Sequence, residues 1–552
     1  MPASGSFSVP GPGPPAGIAR TAAGGEPSPP AQAPWPVRAR LPRRGDVARS
    51  VLREAWGVAL TVLLGFWAGI ACSQPPAAAP EPRLSLGPCA VEGWPAAECG
   101  YFEVAENRSQ PHGRRVQLYF EILRAADGAQ GKKEPIFFFS GGPGEAATES
   151  SIFVRQTFGG EDVGRDLVLV DARGTGRSNG MDCLHSPRVG EEWSAEGVFE
   201  AWILAPEPMR ICRQRFEKES DLRQYTTSII ADDMNELRQA LGYEEINIYG
   251  GSYGSRLAYE YLRRHPESVR TAAMVGFAPS FGNLISSLPQ DVEEVLDRVL
   301  EACETDAGCH EAFPDVREEV LSVLSRLEAG AVRVEVHNPA TGRPETVALD
   351  YDHAATGLRY LLYSAQLQAL LPSVFHEAHR GNYEPIAKVV LVTSLGIAEA
   401  LYEGMWASVK CTEEIAFTDH EAAVRLAEGT VMGRGRLDAE WEICEGWPRG
   451  EVPPDFHEPL HSDLPILLIT GDLDVASPPR LGERAIRTLP NGIFLRLANR
   501  SHLGSYLEPC TQEILRRFVE SGTKEGLDVS CAGRLERVPF AREFPGLDNF
   551  FG

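Results

Sequence analysis

The chain is 552 residues long with a net charge of −24, and 43% of its residues are hydrophobic. That composition can bury a sizeable core and excludes a disordered polyelectrolyte. The acidic surplus repels phosphate backbones, which excludes nucleic acid as a partner, and it suits ligands that carry an amine.

The first 72 residues differ from the rest, with seven Arg against three acidic residues. Residues 1–50 are rich in Pro, Gly, Ala and Arg and cannot form a packed core. Arg49 and Arg53 then flank an apolar run over 55–71, which ends Ala68-Gly69-Ile70-Ala71-Cys72. Basic flank, apolar stretch and small residues together predict a secretory signal, at the short limit for a membrane span. The ending resembles a bacterial lipobox. Two fates stay open: lipid attachment at Cys72, or a cleaved signal or uncleaved anchor with an incidental cysteine. Residues 73–88 read as a tether, Pro/Ala-rich at its start. Ten further cysteines fall as neighbours, Cys89/Cys99, Cys183/Cys212, Cys303/Cys309, Cys411/Cys444 and Cys510/Cys531. Sequence does not fix connectivity, but five local bridges are the simplest framework. They imply an oxidising compartment, so the protein is expected to be secreted, periplasmic or attached to the cell envelope.

From Gly100 the pattern is that of alternating strands and helices. Strands are predicted at 115–123, 135–139, 166–170, 246–249, 271–275, 465–470 and 493–497, with helices at 229–241 and 257–264. Short apolar strands separated by helices predict a mostly parallel sheet buried on both faces. Between 280 and 461 the pattern turns helical, over 292–303, 316–327, 354–371, 387–405 and 421–427, interrupted by a hairpin at 332–350. The expected organisation is an α/β core over 89–279 and 462–552, with a helical cap inserted over 280–461.

Gly250-Gly251-Ser252-Tyr253-Gly254 fits G-x-S-x-G between a predicted strand and a predicted helix. In that context the sharp turn lifts a serine nucleophile to the carboxyl end of the sheet. The chain order of this arrangement is Ser, acid, His. Beyond the strand at 465–470 there is a single histidine, His502, which is therefore the expected base. The acid lies in Gly471-Asp472-Leu473-Asp474; Asp474 is favoured because it reaches further towards the His502 loop, while Asp472 suits the turn. An oxyanion hole needs two backbone N–H groups. Tyr253 supplies one, and Gly142 or Gly141 supplies the other from the loop Ser140-Gly141-Gly142-Pro143-Gly144, because Pro143 has none.

Together these segments resemble the prolyl iminopeptidase and tripeptidyl aminopeptidase group of α/β-hydrolases. Gly141-Gly142-Pro143-Gly144 is similar to its oxyanion loop, and Asp171-Ala172-Arg173-Gly174-Thr175-Gly176-Arg177-Ser178 to its Asp-x-Arg-Gly-x-Gly-x-Ser turn. Gly471-Asp472-Leu473-Asp474 is similar to its acid loop. Ser501-His502, Pro509-Cys510 and Ser530-Cys531 resemble the carboxyl-terminal segment of the tripeptidyl aminopeptidase branch. The resemblance implies an exopeptidase acting on peptides with a free amino terminus, and acidic cap residues that bind its ammonium. Lys410-Cys411-Thr412-Glu413-Glu414 resembles the motif that carries them, so Glu413 and Glu414 are the implied substrate-binding residues. A buried carboxylate pair needs a cation, which the substrate would supply. Glu145 departs from the family, which has a small residue there; it either obstructs the substrate or itself contributes to ammonium binding.

Other patterns carry less. His457-Glu458-Pro459-Leu460-His461 fits a zinc-protease signature that works only on a helix, and Pro459 prevents one, so no metal is expected. The sequon Asn499-Arg500-Ser501 would place a glycan beside His502 and reads as chance. The triad chemistry calls for no cofactor. A carboxylesterase with the same triad, or a binding protein on the same fold, are the competing functions; the second would normally have lost a triad member.

Overall fold

Fully apolar strand runs are stable only where both faces of a sheet are covered. The computed structural model describes residues 83–125, 134–158, 164–183, 195–200, 205–338 and 342–545. The signal-like segment, Cys72 and residues 73–82 lie outside these. The strands are β1 (Leu84–Pro88), β2 (Glu98–Ala105), β3 (Arg115–Leu123), β4 (Ile136–Phe139), β5 (Leu167–Val170), β6 (Ile246–Gly251), β7 (Val269–Val275), β8 (Val332–His337), β9 (Pro344–Leu349), β10 (Ile466–Gly471) and β11 (Gly492–Leu497). Nine of them form one sheet in the order β1-β2-β3-β5-β4-β6-β7-β10-β11. Pairing is antiparallel from β1 to β5 and parallel from β5 to β11. β8 and β9 form the expected separate hairpin. The mostly parallel sheet flanked by helices is the fold class that the sequence predicts.

The two-residue repeat of a strand sends alternate side chains to opposite faces. In β4, Phe137 and Phe139 join one core cluster while Ile136 and Phe138 join the other. In β10, Ile466 and Leu468 face the first cluster and Leu467 and Ile469 the second. Each fully buried side chain of this size contributes about 1.5–3 kcal/mol. The sheet is thus a rigid base for the loops at its carboxyl edge.

Three expectations are corrected. The tether does not extend to residue 88: Leu84–Pro88 pair with β2, and the Cys89–Cys99 disulfide fixes that edge. The helix predicted over 354–371 is broken into Tyr351–Leu361, Ala365–Gln368 and Leu371–His379. Ser364 accepts a hydrogen bond from Leu367 N–H as an N-cap, and Pro372 opens the third piece. The helix predicted over 387–405 stops at Ala400 and restarts at Glu403, because Leu401 and Tyr402 are drawn into extended pairing with residues 144 and 145. The ten remaining cysteines form the five neighbour disulfides expected.

Candidate active site

A serine between a buried strand and a helix can be held proud of the sheet only if the turn is tight and its neighbours are small. Ser252 lies between β6 and the helix Tyr253–Arg264 with φ 51° and ψ −120°, a conformation that non-glycine residues rarely adopt. The surroundings hold it there. Ser252 N–H donates to Val275 O at 2.9 Å, and Ser255 N–H donates to Ser252 O at 2.8 Å. Gly254 lets the helix approach β4, since a Cβ there would lie 1.9 Å from the Phe139 carbonyl oxygen.

Ser252, Asp474 and His502 come from three separate loops at the carboxyl edge of the sheet and meet in one hydrogen-bonded chain. His502 Nε2 is 3.1 Å from Ser252 Oγ, and His502 Nδ1 is 2.9 Å from Asp474 Oδ2. Both His502 and Asp474 are buried. The N–H groups of Ala476 and Ser477 each donate to Asp474 Oδ1 at 2.8 Å, and Ser477 Oγ donates to Oδ2 at 2.6 Å. Donors on the remaining acceptor sites fix the orientation of this carboxylate. Asp472 lies apart. Its side chain pairs with Arg298 of the cap helix Leu284–Thr305, Nη2 to Oδ2 at 3.3 Å.

The imidazole has further supports that were not foreseen in the sequence. Tyr506, one helical turn beyond His502, packs edge-on against it and donates to Val275 O at 3.0 Å. Tyr363, at the break in the cap helix, packs on another side of the ring. The Tyr363 carbonyl accepts hydrogen bonds from Ser501 Oγ and from Leu503 N–H, both at 2.9 Å. Gly276, at φ 61°, leaves room for the ring, as a Cβ there would lie 2.9 Å from His502 Cε1. The His-x-x-x-Tyr spacing was the only readable signal among these. Asn499 Nδ2 is engaged by Leu535 O at 2.8 Å and Ser501 is fully buried, which agrees with reading that sequon as chance.

The loop 140–145 closes the opposite side. Gly141 N–H donates to Glu145 Oε2 at 3.1 Å, which commits it and leaves Gly142 as the candidate donor beside Tyr253. Below the loop, Asp171 accepts from Thr148 N–H at 3.0 Å and from Arg177 N–H at 3.1 Å, while Arg173 is fully buried against Asp233. The Asp-x-Arg-Gly turn thus braces the segment that follows the loop. Residues 457–461 are irregular, with His457 Nδ1 3.0 Å from Ser280 O, so the two histidines share no helical face.

Glu413 and Glu414 are both buried and lie side by side, as their expected role requires. Both end the buried helix Glu403–Glu413 or adjoin it, but the protein itself supplies their cations. Arg256, from the helix after Ser252, approaches Glu413 at 3.6 Å and Glu414 at 2.7 Å, and Lys410 also pairs with Glu414. Glu413 accepts in addition from Thr227 N–H at 2.6 Å and Thr227 Oγ1 at 2.8 Å. Burial alone would raise both carboxyl groups; Lys410 and Arg256 overturn it at Glu414 and hold it at about 2, whereas Glu413 is pushed up to about 7. The Glu414 contribution is therefore present above the ordinary carboxylate range and lost as pH falls towards its folded value. Glu414→Gln is expected to destabilise the fold by about 3 kcal/mol, since it leaves two buried cations short of a partner. Glu413→Gln keeps a hydrogen-bonding group for Thr227 and should cost less than about 1 kcal/mol. Urea unfolding of the two variants at pH 7 checks the contrast.

The family model described as alpha/beta hydrolase fold matches residues 134–509. Serine protease Hip1 of Mycobacterium tuberculosis is 24% identical over 535 residues, covering 89% of this chain and 99% of that protein. Tripeptidyl aminopeptidase of Streptomyces lividans is 21% identical over 467 residues, covering 79% of this chain and 83% of that one. Proline iminopeptidase of Neisseria gonorrhoeae is 26% identical over 177 residues, covering 32% of this chain and 39% of that one.

Proposed function

The chain belongs to the alpha/beta hydrolase family, and on that footing we propose that it is an exported serine exopeptidase acting on peptides with a free amino terminus. The observation that carries the reading is the hydrogen-bonded chain from Ser252 Oγ through His502 to Asp474 on a strained turn. His502 Nε2 takes the Ser252 proton as Oγ attacks the scissile carbonyl carbon. The N–H groups of Tyr253 and Gly142 receive the negative oxygen of the tetrahedral intermediate. His502 then protonates the leaving amine, the acyl group stays on Ser252, and water activated by the same imidazole releases it. Asp474 holds the tautomer that presents Nε2 to Ser252 and stabilises the imidazolium. The steps call for no cofactor.

Peptide substrates are supported by the relatives, which are a serine protease, a tripeptidyl aminopeptidase and a proline iminopeptidase. Export is supported by the five disulfides, which persist in oxidising compartments. A peptide library presented with free and with acetylated amino termini, read by mass spectrometry, tests the specificity. We expect residues or short peptides to be released from the free set, at least tenfold faster than from the acetylated set. Equal rates would instead point to an endopeptidase, and cleavage of simple acyl esters alone to an esterase.

A further inference from the structure

With Glu413 and Glu414 neutralised by Arg256 and Lys410, the question of what receives a substrate ammonium returns to the site itself. Asp474 is engaged by His502, Asp472 by Arg298, and Asp171 by the Thr148 and Arg177 N–H groups. Glu145 differs. Among the described residues it has no Lys, Arg or His in ion-pair contact, and its one hydrogen-bond donor is Gly141 N–H. It is only partly buried, on the side of the loop that meets the cap.

Its position is tightly determined. Glu145 N–H donates to Gly141 O at 3.4 Å, its own carbonyl accepts from Ser140 Oγ at 2.7 Å, and its backbone pairs with Leu401 of the cap. The carboxylate covers Gly141, where a Cβ would lie 3.0 Å from Oε2 and 3.3 Å from Oε1. Because consecutive Cα atoms are about 3.8 Å apart, it lies within about 7 Å of the Gly142 N–H. A negative charge this near opposes the oxyanion that the Gly142 and Tyr253 N–H groups must stabilise. Burial raises the carboxyl group above its usual range, against the pull of the Gly141 N–H and His502, so the site as it stands under-compensates that charge.

Resting on the exopeptidase reading, we propose that Glu145 receives the α-ammonium of the residue whose carbonyl Ser252 attacks, and so selects free amino termini and release of single residues. The α-nitrogen of that residue is two bonds from the scissile carbonyl carbon, so it lies beside the oxyanion loop. There it cancels the Glu145 charge just where the oxyanion forms. The ammonium of a tripeptidyl unit begins two residues further out, about 7 Å along an extended chain. A blocked amine leaves the carboxylate uncompensated, which penalises the transition state rather than binding alone.

The test uses aminoacyl and tripeptidyl coumarin amides, each free and acetylated, with the full chain and its Glu145→Gln and Glu145→Asp variants. Glutamine keeps an acceptor for Gly141 N–H, and unchanged fluorophosphonate labelling of Ser252 reports an intact site. In the unmodified protein the free aminoacyl amide is expected to be the best substrate. Glu145→Gln should lower its kcat/KM at least tenfold, raise kcat on the acetylated form, and collapse the ratio between them, while Glu145→Asp retains most of it. An unchanged ratio in Glu145→Gln overturns the inference and leaves the exopeptidase reading standing, as does a preference for free tripeptidyl amides. No discrimination by the unmodified protein defeats both. If Glu145→Gln is not labelled, Glu145→Asp decides: labelled and still selective supports the assignment, labelled and unselective overturns it.

Discussion

Replacing Ser252 by alanine is expected to lower kcat on any substrate by about 10⁴- to 10⁶-fold and to abolish labelling by a fluorophosphonate probe. Among the described residues, Ser252 Oγ is the hydroxyl presented to His502 Nε2, at 3.1 Å, on the strained turn after β6. What remains after the substitution is the contribution of binding and the oxyanion donors, which alone exceed the uncatalysed rate. Urea unfolding should find the variant as stable as the unmodified protein or more so, because the conformation at φ 51° is costly and serves the hydroxyl. Persistent labelling of Ser252→Ala would show that another residue is the nucleophile.

The second large effect separates two aspartates that are neighbours in sequence. Asp474→Asn is expected to lower kcat by about 10⁴-fold with little change in KM, because the amide stabilises the wrong imidazole tautomer. Asp474 is fully buried against His502 Nδ1 and accepts from Ala476, Ser477 and the Ser477 hydroxyl. Asp472→Asn should change kcat/KM by less than about threefold, since its carboxylate faces Arg298 and does not meet the imidazole. Steady-state kinetics of the two variants on one peptidyl amide decide the assignment, and a comparable loss in both would reject it.

These two substitutions act on the part of the site that is most legible in sequence. The elbow around Ser252 follows from local rules, glycines between an apolar strand and a helix, and chain order then leaves His502 as the sole histidine beyond the acid loop at 471–474. Local rules do not reach contacts made across the fold. Spacing predicts continuous helices over 354–371 and 387–405, and each breaks where it meets a distant part of the chain: one at Tyr363, whose carbonyl binds the His502 loop, the other at Leu401–Tyr402, which pairs with Gly144 and Glu145. At each break tertiary hydrogen bonds outweigh helix propensity. Glu413 and Glu414 show the same limit from the other side. Two adjacent buried acids predict that a cation must be near, and only the folded chain shows that Arg256 and Lys410 both lie there. Tyr506 and Gly276 shape the pocket of the imidazole through contacts that no spacing rule singles out.

The Tyr363 carbonyl also bears on how such an enzyme can change. It accepts two hydrogen bonds from the loop that carries the imidazole, so the position of His502 depends on a backbone oxygen that lies 139 residues away in the chain. A cap grafted from another hydrolase would have to reproduce that one backbone oxygen before its own substrate preference could be expressed.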